Sequence, residues 1–198
     1  MWRQEGPRQA KGKQVIPSFN HSGVLPPFVG EAHRTDGRSP YVTDLATISR
    51  QFVTSDERQK IFEGLLRYRS ALRIVGLVAG FQWIDGSFVE AAELTRLRPP
   101  EDVDVVTFCW RPKDMDIDAW VALVNERTDL FDPEESKRIY KCDAYFVDLG
   151  VAPNWLVMQT AYWSGLFSHQ RETFLWKGLL QIDLGKDLSV ETAEAGHD

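Results

Sequence analysis

The spacing of apolar and polar residues predicts where this chain is helical and where it is extended. Apolar positions recur at helical intervals from Ile61 to Val75, after a capping pattern at Thr54 to Glu57 and before Gly76, which predicts one long amphipathic helix. Shorter helices are predicted near 117–124, from 132 onward and over 153–167. Runs that are β-branched, aromatic or alternating predict strands over 81–84, 103–110, 140–149 and 174–184. Helices that alternate with strands indicate a layered α/β domain.

Charge and proline content divide the chain into three parts. Residues 1–14 have four basic side chains against one acid, whereas residues 183–198 have five acids against one lysine. Prolines at 17, 26, 27 and 40 disfavour a regular helix between 15 and 41, so we expect regular structure to begin only at Thr54. The prediction is an extended, basic, proline-containing arm over 1–50, a folded domain over 51–184 and an acidic tail over 185–198.

Composition excludes several classes of protein. The 198 residues are 43% hydrophobic and 26% charged, as in ordinary globular domains and unlike disordered chains. No apolar run approaches the roughly 20 residues that span a bilayer, and residues 1–10 contain no apolar signal core, so we expect a cytoplasmic protein without a membrane partner. Cys109 and Cys142 are expected to be buried thiols in a reducing compartment. The net charge of -6 argues against a protein that coats duplex DNA.

Two short motifs carry candidate chemistry. Asp102 and Asp104 are two apart at the start of a predicted strand, so both side chains project from the same face. Two adjacent anions repel each other unless a cation lies between them, and oxygen ligands of this kind suit Mg²⁺. Gly86-Ser87 follows the strand at 81–84 and offers an anion close backbone amides, a hydroxyl and the start of a helix. A phosphate site beside paired carboxylates is what phosphoryl or nucleotidyl transfer requires.

Other interpretations of the Asp-x-Asp motif stay open. Asp102 and Asp104 could equally be an exposed pair at the end of a sheet. A second Asp-x-Asp, at 114–116, does not fit the calcium-loop pattern because Ala119 stands where glycine is needed, and it is interpreted as a solvated helix start. Phosphatases of the haloacid dehalogenase type also use Asp-x-Asp, but they need an apolar strand before the first aspartate, and residues 98–101 are not one.

The two motifs together resemble the signature of the DNA polymerase β-like nucleotidyltransferase superfamily. The matching positions are Gly86 and Ser87, followed after a spacer by Asp102 and Asp104. The segment from 80 to 108 is similar to a small, uncharacterised bacterial branch of that superfamily, and the similarity covers about residues 52–184. The resemblance implies a mixed β-sheet with flanking helices in the nucleotidyltransferase fold.

The resemblance also implies a third carboxylate on the strand predicted over 140–149. Asp143 and Asp148 are the two candidates, and we select Asp143 because a lone charge among the apolar neighbours of a strand is costly. An ion pair of Asp143 with Lys141 or Arg138 is the alternative explanation.

Further charged residues bear on phosphate binding. Lys177 and Arg171 could contact a triphosphate or could be solvated side chains. The spacer between Ser87 and Asp102 carries Glu90 and Glu93, which would disfavour a triphosphate unless they point away.

The activity that the resemblance implies is the transfer of a nucleoside monophosphate from a nucleoside triphosphate to an unknown acceptor, which could be a protein, an RNA or a small molecule. Asp102, Asp104 and Asp143 would be catalytic and bind Mg²⁺, or Mn²⁺ in its place. Phosphate would be held by Gly86, Ser87 and Lys177. Small members of the superfamily resemble toxin or phage-defence components, which implies such a role here. The alternative is an inactive nucleotidyltransferase-like module that binds nucleotide or protein. The nucleotide and the oligomeric state stay open.

Overall fold

A computed structural model describes residues 15–34, 36–171 and 173–185 and shows a mixed α/β architecture. The basic stretch over 1–14 and the acidic tail over 186–198 lie outside these residues. The strands are β1 (Tyr41–Thr43), β2 (Gly80–Asp85), β3 (Val103–Cys109), β4 (Cys142–Asp148) and β5 (Leu180–Asp183). The helices are α1 (Leu45–Phe52), α2 (Asp56–Ile74), α3 (Ala92–Thr95), α4 (Ile117–Glu126), α5 (Thr128–Phe131), α6 (Pro133–Tyr140) and α7 (Pro153–Phe167).

The strands form one mixed sheet in the order β1-β5-β2-β3-β4. The outer pairs, β1 with β5 and β3 with β4, are parallel, whereas β2 is antiparallel to both of its neighbours. Successive side chains of a strand point to opposite faces, so Ile84 and Val105 lie in one apolar core and Trp83 and Val106 lie in another. The first core includes α2, and the second includes α7. The expected mixed sheet with flanking helices is confirmed.

The long helix predicted after Thr54 is confirmed as α2. Its N-cap is Ser55, whose hydroxyl accepts a hydrogen bond from the Arg58 amide at 3.3 Å. The apolar positions that predicted it, such as Leu65 and Leu72, are fully buried. A Cβ at Gly64 would lie only 1.9 Å from the Tyr140 carbonyl oxygen, so a glycine is needed where α2 crosses the end of α6. α2 and the end of α6 therefore pack in direct contact here.

The prediction that regular structure begins only at Thr54 is wrong. Regular structure begins at Tyr41 and not at Thr54, because β1 pairs with β5 and α1 follows it at once. Asp44 caps α1 by accepting a hydrogen bond from the Thr47 amide at 2.8 Å, and the helix buries Leu45, Ile48 and Phe52. After Pro40 the next proline is Pro99, so the chain between them is free to form a strand and helices.

The strand predicted over 174–184 is shorter than expected, because β5 covers only Leu180–Asp183. Before it, the Lys177 amide donates to the Ser168 carbonyl oxygen at 2.8 Å, and the Gly178 amide donates to the Leu25 carbonyl oxygen at 2.7 Å. Because these amides donate to carbonyl oxygens of loops, they are not available for hydrogen bonds to a neighbouring strand. Phe174 has a left-handed backbone with φ of +56°, which also interrupts the extended run.

The helices predicted near 117–124, from 132 onward and over 153–167 are confirmed as α4, α6 and α7, whereas the short helices α3 and α5 were not predicted. Asp132 caps α6, as its position before Pro133 predicted. Cys109 and Cys142 are buried thiols, as expected. No helix in the described part of the chain is both long enough and apolar enough to cross a membrane.

Candidate active site

Three aspartates lie side by side across neighbouring strands. Asp85 of β2 is opposite Asp104 of β3, and Asp104 is opposite Asp143 of β4. Residues paired across strands point to the same face, so these carboxylates share the side of the sheet that carries Trp83. Together with Asp102, they line one cleft of about 420 Å³. The structure thus brings together the three carboxylates predicted from the sequence and adds Asp85.

Gly86 and Ser87 continue from the end of β2 into the same cleft. Gly86 has φ of +83°, and a Cβ there would lie 2.9 Å from the Asp104 carboxylate, so only glycine fits at this position. The helix expected to begin here is only a three-residue 3-10 helix, Ser87–Val89, which adds little of the dipole expected for phosphate binding. The role of Gly86 in the structure is to allow close approach to Asp104.

Asp104 is the electrostatic centre of the cluster. Burial, followed by the charges of Asp102 and Asp143, raises the pKa of Asp104 to about 6, against the opposing charges of Lys177 and Arg171. Next to Asp143 on the same face, burial and the Asp143 charge raise the pKa of Tyr145 to about 12. The anions of this cluster therefore oppose one another, and a cation among them would relieve the repulsion.

The raised pKa of Asp104 predicts how stability depends on pH. Between pH 3.8 and about 6 the folded state retains a proton that the unfolded state releases, so the free energy of unfolding falls as pH rises through this window. Asp104→Asn removes this cost. We expect the variant to be more stable than wild type at pH 7 by on the order of 1–3 kcal/mol, with the difference shrinking towards pH 4. Denaturant unfolding in the presence of a chelator measures it, and a variant less stable at pH 7 would contradict it.

The chemistry of the cluster fits a divalent cation, but its ligand atoms are not gathered for one. Within residues 15–34, 36–171 and 173–185, no group of three or more His, Cys, Asp or Glu side chains is placed to hold a metal ion. Asp102 instead forms an ion pair with Lys137 of α6. Metal binding would require Asp102 to exchange this ammonium for the metal. The hard oxygen donors and their mutual repulsion are features that favour Mg²⁺.

A buried ion-pair network supports one wall of the cleft. The Lys177 ammonium lies 3.0 Å from Asp85 Oδ2 and 2.7 Å from Glu90 Oε1, and all three side chains are buried. Burial lowers the pKa of Lys177, but the Asp85 and Glu90 carboxylates outweigh it and raise the pKa. This environment differs from the phosphate contact and the solvated position that the sequence suggested for Lys177, because its charge is already balanced by two acids.

Asp85 is a cleft residue that the sequence did not single out. Burial, together with the Asp104 charge, raises the pKa of Asp85 to about 7, against the opposing charge of Lys177. Among the described residues, its Oδ1 atom is buried and has no hydrogen-bond partner. A buried carboxylate oxygen without a donor is costly, so a cation or a donor beside it would be stabilising. The sequence did contain a signal for Asp85, because it is an acid at the end of an apolar strand, directly before Gly86-Ser87.

The two spacer acids do not add free negative charge to the cleft. Arg58 lies 2.7 Å from a Glu93 carboxylate oxygen. Glu90 pairs with Lys177 and also with Arg96, whose guanidinium is 2.8 Å away. Burial alone would raise the pKa of Glu90, but Lys177, Gln170 and Arg96 outweigh it and lower the pKa. Each acid is therefore neutralised by its own cation.

Asp143 and Asp148 lie at opposite ends of β4. Asp143 is in register with Asp104, whereas Asp148 is in register with Cys109 at the other end of the strand. Asp148 forms an ion pair with Arg111 at 2.9 Å and does not line the cleft. Of the alternative partners considered for Asp143, Arg138 is paired with Glu135. Asp143 is thus the candidate that the fold places in the cluster.

The second Asp-x-Asp lies elsewhere. Asp116 caps α4 by accepting a hydrogen bond from the Ala119 amide at 2.8 Å, which confirms the solvated helix start predicted for it.

The aromatic residues between positions 155 and 176 are divided between the core and the surface. Trp163 and Phe167 are buried, whereas Trp155 and Trp176 are exposed.

Most of the chain matches a known protein family. Residues 17–183 match the profile of a family of unknown function, DUF6932. Neither the curated proteins nor the solved structures include a match to the chain.

Proposed function

We propose that this chain, which belongs to the DUF6932 family of unknown function, is a Mg²⁺-dependent nucleotidyltransferase with a nucleotidyltransferase fold. The observation that carries the proposal is the sheet register, which aligns Asp104 with Asp143 on one face. Asp102 and the Gly86-Ser87 turn open into the same cleft. Paired carboxylates beside a turn that permits close approach are the parts that phosphoryl-type transfer uses for positioning and charge neutralisation.

The reaction is a displacement at the α-phosphorus of a nucleoside triphosphate. The acceptor hydroxyl oxygen forms a bond to the α-phosphorus, the bond from that phosphorus to the β-phosphate oxygen breaks, and pyrophosphate leaves. Asp143 accepts the hydroxyl proton, and Asp102 and Asp104 would hold Mg²⁺. Mg²⁺ would neutralise phosphate charge. The Gly86 backbone and the Ser87 hydroxyl approach the phosphate oxygens.

Arg171 is better placed than Lys177 to contact phosphate. Both line the cleft, but Lys177 is balanced by Asp85 and Glu90. Within the described part of the chain, Arg171 has no ion pair, and its positive charge acts on Asp104. We therefore assign Lys177 to holding the cleft wall and Arg171 to the triphosphate.

The test of the proposal is transfer of label to an acceptor. The protein is incubated with Mg²⁺ and each nucleoside triphosphate in turn, labelled at the α- or the γ-phosphate, with RNA, protein and small-alcohol acceptors. We expect label from the α-phosphate in an acceptor and none from the γ-phosphate. Chelation should abolish transfer, and added Mg²⁺ or Mn²⁺ should restore it. Transfer of the γ-label would instead indicate a kinase.

A second candidate is a module of the same fold that binds nucleotide without turnover. The observation in its favour is the ion pair of Asp102 with Lys137, which occupies a proposed metal ligand. Nucleotide binding without transfer, across all acceptors and both metals, would support the module and contradict the enzyme.

A further inference from the structure

The Lys137 ammonium lies beside Asp102, which is one of the proposed metal ligands. The Ser136 hydroxyl donates to the Cys142 carbonyl oxygen at 2.9 Å, which anchors the end of α6 to β4. The Val103 amide donates to the Lys141 carbonyl oxygen at 3.0 Å, which anchors the same end to β3. These contacts hold the Lys137 ammonium against Asp102, where the two side chains form an ion pair.

The Lys137 ammonium interacts with the whole predicted carboxylate set. Its hydrogen bond to Asp102 is the main cause of the raised pKa of Lys137; burial opposes it, and the charges of Asp102, Asp143 and Asp104 add to the rise. The single positive charge of Lys137 therefore offsets part of the repulsion among three carboxylates.

The other basic side chains that line the cleft interact with different groups. Lys177 is paired with Asp85 and Glu90, Arg96 with Glu90, and Arg98 with Glu101 at 2.9 Å. Arg171, in the segment after α7, also acts on Asp104. Lys137 is distinguished from these by its ion pair with a proposed metal ligand.

Lys137 can also leave the cluster easily. Its side chain is 51% exposed, whereas that of Lys177 is 4% exposed. A long, half-exposed lysine can turn its ammonium into water without losing solvation, but a buried lysine cannot. Of the two lysines beside the carboxylates, Lys137 is the one that another cation can replace.

We propose that Lys137 is an internal counter-cation, which occupies the carboxylate cluster when no divalent ion is bound and is displaced when one binds. The inference rests on the proposed function for the existence of the metal site. It explains why the ligand atoms of the cluster are not gathered around one point, because Asp102 is drawn towards α6. Ammonium and metal compete for the same oxygens, so removing the ammonium increases metal affinity.

The experiment measures Mn²⁺ binding directly, from the electron paramagnetic resonance signal of free Mn²⁺. Lys137→Met keeps the apolar stem and removes the charge, and we expect it to lower the Kd for Mn²⁺ by about tenfold or more. Lys137→Arg retains a competing cation and is expected to bind Mn²⁺ no more tightly than wild type. The matched control is Arg138→Met, one residue along the same helix, where the guanidinium is exposed and paired with Glu135. This control is expected to stay within about twofold of wild type.

The possible outcomes separate the counter-cation role of Lys137 from the proposed metal-dependent function. Unchanged or weaker Mn²⁺ binding by Lys137→Met, in a variant with the circular dichroism spectrum of wild type, would overturn the counter-cation role while leaving the proposed enzyme intact. Lys137→Gln provides a second neutral variant if Lys137→Met does not fold. Absence of Mn²⁺ binding by wild type and by both neutral variants would overturn the inference and the metal-dependent function together. Equal tightening in Arg138→Met would show a general charge effect and would also overturn it.

Discussion

Replacing Asp104 with Asn is expected to lower the rate of nucleotidyl transfer by about 1,000-fold or more, because a metal ion contributes several kcal/mol of charge stabilisation that is lost with its ligand. Asp104 lies between Asp85 and Asp143 in the sheet register and faces the position where only glycine fits. No neighbouring carboxylate is in the same place to substitute for it. The amide has nearly the size of the carboxylate, so the cleft keeps its shape while the charge is removed. The measurement is transfer of α-phosphate label at saturating Mg²⁺.

The matched control for this prediction is Asp116→Asn. Asp116 belongs to the second Asp-x-Asp, lies outside the cleft and caps α4. Asparagine is as good an N-cap as aspartate, so we expect this variant to keep both its stability and its activity. An Asp104→Asn variant that retains more than about a tenth of wild-type activity would contradict the metal role of Asp104.

Lys177→Met is expected to reduce the free energy of unfolding by about 3–5 kcal/mol. The substitution leaves Asp85 and Glu90 buried without the ammonium that lies within 3.0 Å of each. An uncompensated buried charge costs far more than the apolar contacts of methionine return. For a chain of this length the loss corresponds to a fall in Tm of about 10 °C, which denaturant unfolding and calorimetry would both detect.

Two comparisons isolate the cause of this destabilisation. Lys113→Met changes an exposed lysine and is expected to alter stability by less than about 0.5 kcal/mol. Adding Asp85→Asn to Lys177→Met removes the carboxylate charge of Asp85, whereas Glu90 keeps its ion pair with Arg96, and is expected to recover part of the loss. If Lys177→Met is as stable as Lys113→Met, the buried ion pairs do not contribute as the structure indicates.

Local patterns predicted most of the secondary structure, because local physics governs it. The apolar spacing of α2 and the β-branched run of β3 were sufficient to predict both elements. The prediction failed where long-range contacts decide the outcome. β1 is only three residues long and exists because β5 pairs with it, and β5 is shortened because the Gly178 amide is engaged by Leu25. β1 and β5 lie far apart in the sequence, and so do Gly178 and Leu25.

Part of the candidate site could be predicted in the same way. Asp102 and Asp104 share a face because of the two-residue period of a strand, which is a local property. Asp143 could be selected only through resemblance and the cost of a charge in a strand, and its register with Asp104 is a tertiary fact. Asp85 and Lys137 were missed because their importance depends on neighbours from other strands and helices.

The sequence by itself determined the long helix α2, most of the strands and the position of Gly86-Ser87 and the aspartate pair along the chain. Only the tertiary structure decided which charges face one another. It placed Lys177 between Asp85 and Glu90, Lys137 against Asp102, and Asp148 away from the cleft beside Arg111. The physical reason is that periodicity and capping act within a few residues, whereas the energy of a charge depends on burial and on partners that lie far away along the chain.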